Sequence, residues 1–123
     1  GYFKEGLETI TLKGMDGAAK IQDMISHARN NPPVQLGEYK VLAVRDYKLD
    51  TRKDMISGEI TSTGLPSSNV LYYELENNGW CCVRPSGTEP KIKFYFGVKG
   101  DSLEDSDVKL ENLRNALMQM FAD

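Results

Sequence analysis

Residues 70–98 read VLYYELENNGWCCVRPSGTEPKIKFYFGV, a stretch that predicts three antiparallel strands joined by two tight connections. Apolar and polar residues alternate from Val70 to Glu76 and again from Lys91 to Val98, as in strands that bury one face. The sequence Asn77-Asn78-Gly79 predicts a hairpin, because a two-residue Asn-Gly turn supplies the positive φ angles that a type I′ turn requires. The returning strand is predicted from Trp80 to Val83. The indole of Trp80 is predicted to lie in the core.

The second connection, residues 84–90, is suited to binding an anion. Arg84 offers a permanent charge and a planar fork that can hold two phosphate oxygens. Ser86 and Thr88 add hydroxyl donors, and Gly87 lets the backbone come close to a ligand or adopt a positive φ. The same residue types also form ordinary β-turns, in which Ser and Thr close local hydrogen bonds and the arginine forms a surface ion pair. The pattern alone leaves both interpretations open.

Strands are also predicted nearer the N-terminus. Residues Leu7–Leu12 alternate as a short strand, and Tyr39–Asp46 has the apolar centre of a longer one. Between Tyr47 and Asn69, mixed charges and a run of turn-forming residues predict an irregular surface excursion, mobile in part. In the last strand of the chain, alternation assigns Ile92, Phe94, Phe96 and Val98 to one face and Lys91, Lys93 and Tyr95 to the other.

Two amphipathic helices complete the predicted elements. The first begins at an N-cap, Asp16, and its apolar stripe leaves Arg29 on the outside. The sequence Asn30-Asn31-Pro32-Pro33 ends it, since proline cannot continue a helix. The second helix runs from about Asp105 to Phe121, with acidic residues at its positive end. Helices and antiparallel strands together predict an α+β fold in which both helices cover one sheet face.

Composition and charge argue against several classes of function and location. A chain of 123 residues with a net charge of −3 and a pI near 5.2 argues against a general nucleic-acid surface. It contains no run of about 18 apolar residues and no secretory signal, so neither a membrane span nor secretion is predicted. Cys81 and Cys82 are adjacent in a predicted strand and point to opposite faces, which favours core or half-buried thiols over a disulfide, a metal site or a redox pair. This fits a reducing, cytoplasmic compartment. The missing initiator Met suggests a fragment or a processed chain.

The segment from Val83 to Tyr95 closely resembles the phosphate-binding loop in the C-terminal, fourth domain of the α-D-phosphohexomutases, the phosphoglucomutase and phosphomannomutase family. Gly14 with its helix, the Asn-Asn-Pro-Pro exit and the Asp46-Tyr47 pair extend the resemblance over most of the chain. The resemblance implies a β-α-β4-α arrangement, an antiparallel sheet with two helices on one face, similar to the TATA-binding protein's repeat. It implies that residues 14–123 form the C-terminal phosphate-binding domain and that residues 1–13 lead in from a preceding domain.

The resemblance also implies a role for the loop. Family enzymes interconvert hexose 1-phosphate and hexose 6-phosphate, and this loop holds the phosphate that is not reacting. The expected phosphate ligands are Arg84 through its guanidinium, Ser86 and Thr88 through hydroxyls, and Gly87 and Thr88 through backbone N–H groups. Glu89 is interpreted as a turn or hinge residue that orients Arg84 or a lysine. The secondary candidates for contact with the substrate phosphate are Glu89, Lys91 and Lys93.

The family's catalytic motifs lie outside this sequence. It has no Ser-His-Asn-Pro serine loop, no Asp-Gly-Asp-Gly-Asp magnesium loop and no sugar-reading Gly-Glu loop. We therefore expect neither a catalytic residue nor a metal or cofactor in this chain, with Mg²⁺ bound by another domain of a parent enzyme. The expected partners are a hexose phosphate and the catalytic domains, without nucleic acid or membrane.

Two other functional hypotheses stay open. One is a stand-alone phospholigand-binding or interaction module that keeps the loop without catalysis. The other is a nucleotide-binding P-loop, which is weaker because the Gly-Lys-Ser/Thr ending is missing and no helix follows the loop.

Overall fold

The computed structural model describes residues 1–122, in which an antiparallel sheet is covered on one face by two helices. The helices are α1 (Gly17–Asn30) and α2 (Leu103–Met120). The strands are β1 (Tyr2–Thr11), β2 (Gln35–Leu36), β3 (Tyr39–Asp46), β4 (Thr51–Asp54), β5 (Ile60–Thr61), β6 (Leu71–Leu75), β7 (Trp80–Pro85) and β8 (Lys91–Gly100). When the short strands β2, β4 and β5 are set aside, the chain order is the predicted β-α-β4-α.

The sheet has an inner face, which packs on the helices, and an outer face, which does not. Its strands follow the order β1-β8-β7-β6-β3-β4-β5, and β2 pairs separately with β3. On β8 the alternation is as predicted, because Ile92, Phe94, Phe96 and Val98 are buried on the inner face. Both helices contribute to the same core, through Ile21, Ile25 and Ala28 of α1 and Leu110, Leu113 and Leu117 of α2.

The first strand is longer than the sequence predicts. β1 pairs with β8 over all ten of its residues, from Tyr2 opposite Gly100 to Thr11 opposite Lys91. Residues Tyr2 to Glu5 are exposed, so the apolar alternation that reveals a half-buried strand is missing there. Residues 2–11 are therefore an integral strand of the sheet, whereas the division of the chain after residue 13 stays a prediction.

The hairpin between β6 and β7 turns one residue earlier than predicted. Asn77 and Asn78 have φ angles of 55° and 65°, while Gly79 has a φ of −75°. The backbone N–H of Leu75 donates to the carbonyl of Gly79 at 2.9 Å, so the two asparagines occupy the tip. Buried cross-strand neighbours such as Tyr73 and Cys81 fix this register, and asparagine tolerates positive φ better than most residues.

Trp80 is outside the core, contrary to the prediction. Cys81 and Val83 take the inner face of β7, so Trp80 and Cys82 alternate onto the outer face, where both are half-buried. The indole stacks on the ring of Tyr72, with centroids 6.1 Å apart and an interplanar angle of 3°. The two thiols are free and lie on opposite faces, as predicted, and burial raises the pKa of both.

The prediction of an irregular excursion from Tyr47 to Asn69 is wrong for two short stretches, because β4 and β5 lie within it and extend the sheet beyond β3. The rest of the segment is irregular, as predicted. Asp50, whose φ is 55°, organises the segment that follows β5. Its carboxylate accepts hydrogen bonds from the side chains of Ser62 and Thr63 and from the backbone N–H groups of Thr63, at 3.0 Å, and Gly64, at 3.2 Å. One carboxylate thus closes this loop.

We expect the loop held by Asp50 to loosen in acid. Hydrogen bonds from Ser62 and Thr63 lower the pKa of Asp50 below its ordinary value of 3.8. Stabilisation by a carboxylate of lowered pKa is complete above the unfolded-state pKa and is lost as the pH falls through the folded-state value. Hydrogen-exchange protection at the amides of Thr63 and Gly64 should hold above about pH 5 and decline below about pH 4. Asp50→Ala should remove it at every pH, and a decline near neutral pH would contradict this account.

Arg29 is largely shielded from solvent, although the helical stripe places it on the outside. Its Nε donates to Oδ2 of Asp46 at 2.8 Å and its Nη2 donates to Oδ1 of Asn69 at 2.7 Å. The side chains of Arg29 and Asp46 are only 11% and 8% exposed. The second carboxylate oxygen of Asp46 accepts the backbone N–H of Lys48 at 3.0 Å. The ion pair between Arg29 and Asp46 connects the end of α1 to the end of β3, and the hydrogen bond to Asn69 connects it to the segment before β6.

Candidate functional site

The candidate anion site is the connection between β7 and β8, together with the strand ends that flank it. Arg84 is paired with Lys93 across the two strands, and Pro85 is paired with Ile92. At the base of the loop, the backbone N–H of Ser86 donates to the carbonyl of Lys91 at 2.9 Å. The hairpin therefore stays closed up to Ser86, so only residues 87–90 form the tip.

The tip is also anchored from the side. The carbonyl of Pro90 accepts the backbone N–H of Leu12 at 2.9 Å, which ties the loop to the segment that leads into α1. A Cβ added to Gly17, the first residue of α1, would lie 3.1 Å from Cβ of Pro90 and 2.9 Å from the carbonyl oxygen of Leu12. This close packing holds one side of the tip against the start of the helix.

Arg84 and Lys93 give the site an unbalanced positive charge. Both side chains lie on the outer face, at directly opposite positions of an antiparallel pair, where like charges repel. Within residues 1–122, neither takes part in an ion pair with a carboxylate. The two residues line a concave surface of about 260 Å³ together with Pro85, Ser86, Gly87 and Thr88. Such a concavity is suited to an anion that neutralises both charges.

Ser86 organises the backbone of the tip. Its hydroxyl oxygen accepts the N–H groups of Thr88, at 3.4 Å, and Glu89, at 3.2 Å. The N–H of Thr88, which the resemblance assigns to phosphate, is therefore directed at Ser86 in this structure. Because only its oxygen is engaged in these two bonds, Ser86 keeps its own O–H to donate to a ligand.

Gly87 has the most open position in the loop. Its φ is not positive, unlike that of Gly14, Gly37, Gly58 and Gly64, so backbone conformation does not require glycine here. A Cβ added to Gly87 would have no atom within 4 Å, and its N–H has no partner among the described residues. Of the two roles considered for this glycine, close approach by a ligand is the one that remains.

Glu89 is paired with a lysine and not with Arg84. Oε2 of Glu89 lies 2.8 Å from Nζ of Lys91, and this hydrogen bond and charge lower the pKa of the carboxyl group. The positive charge of Lys91 is thereby balanced inside the loop. Of the two secondary lysine candidates, Lys93 is the one whose charge is left for a ligand. No sequence pattern distinguishes the two, because both alternate onto the same face of β8.

A second concave surface has a different character. A cavity of about 340 Å³ lies between the C-terminal parts of α1 and α2 and is mainly apolar, lined by Met24, Ala28, Met120 and Phe121 among others. In the described part of the chain, no group of three or more His, Cys, Asp or Glu side chains could hold a metal ion. No helix among residues 1–122 is long and apolar enough to cross a bilayer.

Comparisons with known proteins agree with the fold. Residues 39–115 match the family described as the phosphoglucomutase/phosphomannomutase C-terminal domain. A phosphoglucomutase of Staphylococcus saprophyticus is 35% identical over 111 residues, which are 90% of this chain and 20% of the relative. Phosphoglucomutases of Staphylococcus epidermidis and Staphylococcus aureus are 32% and 34% identical over 95% and 89% of the chain. The chain spans about a fifth of the length of these relatives.

Proposed function

The chain belongs to the family of phosphoglucomutase/phosphomannomutase C-terminal domains, and from this we propose that it is the domain of a phosphohexomutase that binds the substrate's phosphate. The parent enzyme would interconvert hexose 1-phosphate and hexose 6-phosphate. Relatives that carry the name phosphoglucomutase and are about five times longer than the region they share with this chain support the proposal. A cytoplasmic location is part of it, supported by the two free thiols.

The unbalanced pair of Arg84 and Lys93 is the observation that carries the proposal. A phosphate monoester near neutral pH carries close to two negative charges, which these two cations would match. Arg84 would hold two phosphate oxygens through its planar fork, and Lys93 would act as a compact point charge. The O–H of Ser86 and the free N–H of Gly87 would donate to the remaining oxygens, with the hydroxyl of Thr88 beside them.

The domain's part in the reaction follows from the chemistry of the interconversion. Both the 1-phosphate and the 6-phosphate of a hexose end in the same phosphate group, so one site can hold either isomer by its non-reacting end. A site of this kind recognises the phosphate and leaves the sugar free to present either end to the catalytic groups. This chain would supply binding and orientation, while Mg²⁺ and the phosphate-transferring serine belong to other parts of the parent enzyme.

We expect the chain alone to bind hexose phosphates weakly, in the millimolar range or above. Each charge-assisted hydrogen bond contributes about 1.5–3 kcal/mol, and association itself costs at least about 4 kcal/mol. Titration with glucose 1-phosphate, followed by amide chemical shifts, should move the signals of residues 84–93. Lys93→Ala should weaken these shifts, whereas Lys99→Ala removes a lysine from the same face of the same strand and should not.

Two results would contradict the proposal. Shifts confined to other parts of the chain would place the ligand elsewhere. An equal loss of binding in Lys93→Ala and Lys99→Ala would show that only the general positive charge of the strand matters.

A further inference from the structure

The first helix begins with a glycine that the helix itself does not need. Gly17 is the first residue of α1, and its φ is not positive, so the backbone conformation would accept other residues. Alanine forms helices better than glycine, and α1 continues with Ala18 and Ala19. Local preference therefore favours alanine at position 17, and the reason for glycine lies in the atoms around it.

The atoms around Gly17 belong to the phosphate loop or are bonded to it. Gly17 is buried, and a Cβ added to it would lie 2.9 Å from the carbonyl oxygen of Leu12 and 3.1 Å from Cβ of Pro90. The first contact is with backbone, which cannot swing aside as the end of a long side chain can. The backbone N–H of Leu12 donates to the carbonyl of Pro90 at 2.9 Å. Both contacts therefore lead to Pro90.

A displacement of Pro90 would be passed on to the ligand-binding groups of the loop. The carbonyl of the next residue, Lys91, accepts the backbone N–H of Ser86 at 2.9 Å. The hydroxyl oxygen of Ser86 in turn accepts the backbone N–H groups of Thr88 and Glu89. A short chain of hydrogen bonds thus connects Pro90 to the hydroxyl groups that are assigned to the phosphate.

We propose that Gly17 is a positioning residue, which lets α1 hold the tip of the loop where it can bind phosphate together with Arg84 and Lys93. The inference rests on the proposed function, because it takes the loop to be the phosphate site. Arg84 and Lys93 are fixed by the pairing of β7 with β8, whereas residues 87–90 lie outside that pairing. A displaced tip would leave the two charges in place and misalign the hydroxyl and backbone donors.

Titration of the chain with glucose 1-phosphate tests this role in Gly17→Ala. We expect the dissociation constant to rise about fivefold or more, which is the scale of one neutral hydrogen bond. Gly79→Ala is the matched control, because a Cβ there would lie 3.1 Å from Cβ of Leu75 and 3.1 Å from Cε1 of Tyr39, in the hairpin at the opposite end of β7. This control should lower the melting temperature and leave the dissociation constant unchanged.

A second substitution shows whether the effect passes through Pro90. Glycine at position 90 removes the Cβ and the ring that meet position 17, and it lets the tip adjust. In the Pro90→Gly background, Gly17→Ala should therefore change the dissociation constant by less than about twofold. An unchanged dissociation constant in Gly17→Ala, or an equal effect in both backgrounds, would overturn the proposal.

The unchanged chain offers a test that does not depend on the folding of a variant. A ligand that binds the held tip should stabilise the bond between Leu12 and Pro90. With glucose 1-phosphate at about five times its dissociation constant, hydrogen exchange at the amide of Leu12 should slow at least about threefold. The amide of Gly58, which donates to the carbonyl of Asp54 at 2.8 Å in an exposed turn, should not respond. Unchanged exchange at Leu12 would also overturn the proposal.

The positioning role and the proposed function can fail separately. Binding that is lost in Arg84→Ala and unchanged in Gly17→Ala would keep the proposed function and reject the role of Gly17. Absence of binding to the unchanged chain would reject the proposed function. The amide signals of residues 86–91 in ligand-free Gly17→Ala would then decide the other question, because displaced signals support control of the tip by position 17 and unchanged signals reject it.

Discussion

Replacing Arg84 by alanine in the parent enzyme should lower kcat/KM by about 30- to 1000-fold, which corresponds to about 2–4 kcal/mol of transition-state binding. The guanidinium is exposed at the end of β7 and has no ion-pair partner among the described residues, so its removal should cost little stability. What is lost is a charge-assisted contact to the phosphate. Steady-state kinetics with glucose 1-phosphate, alongside thermal melting of the same variant, would measure both quantities.

Two further variants sharpen this prediction. Arg84→Lys should recover only part of the loss, because one ammonium cannot reproduce the two parallel hydrogen bonds of the fork. Lys99→Ala, on the outer face of the neighbouring strand, should leave kcat/KM nearly unchanged. An Arg84→Ala enzyme with normal kcat/KM and a sharply lower melting temperature would show that the arginine is structural, and the interpretation of the loop as an ordinary turn would be preferred.

Asp46→Ala should destabilise the domain by about 3–5 kcal/mol, because it leaves the buried guanidinium of Arg29 without its charge partner. The same substitution removes the acceptor for the backbone N–H of Lys48. Urea unfolding followed by circular dichroism would give the change in the free energy of unfolding. The expected loss is large for a single ion pair because the side chains of Arg29 and Asp46 are only 11% and 8% exposed.

A double substitution and an exposed ion pair serve as controls. Replacing both partners, as in Arg29→Met with Asp46→Leu, removes the uncompensated charge and should restore part of the stability. Lys20→Ala breaks an exposed pair with Asp16 on the same helix and should change the free energy by less than about 1 kcal/mol. Equal effects of Asp46→Ala and Lys20→Ala would contradict the role given to burial.

The sequence predicted correctly those elements in which the periodic placement of apolar residues is strong. β8 alternates strictly between aromatic or aliphatic and polar residues, and both helices carry a continuous apolar stripe, so their existence and buried faces follow from periodicity. The first residues of β1 were missed because they are exposed and carry no such alternation, and β4, Thr-Arg-Lys-Asp, was missed because it contains no apolar residue. The turn at Asn77 and Asn78 depends on the register of two strands, which local turn preference does not include.

The candidate site was predictable in its residue types and less so in its geometry. The loop sequence identifies Arg84, Ser86, Gly87 and Thr88 as an anion-binding set, and the structure brings their segment together at one concave surface. Which lysine stays unpaired depends on whether Glu89 reaches Lys91 or Lys93, and the sequence pattern does not decide between them because both lie on the same face of β8. The burial of Arg29 depends on a contact with Asp46, 17 residues away, so helical periodicity alone placed it outside.

The pairing of β1 with β8 has a consequence for how the chain folds. It joins residues 2–11 to residues 91–100, so the strand at one edge of the sheet cannot be completed until nearly the whole domain has been synthesised. Contacts between distant segments close long loops and form slowly compared with local ones. Until β1 is in place, the edge of β8 presents unpaired backbone groups beside a row of large apolar side chains, an arrangement that promotes aggregation. A recombinant domain that begins at residue 14 would keep that edge open permanently, and retaining residues 1–13 is therefore the better choice for expression.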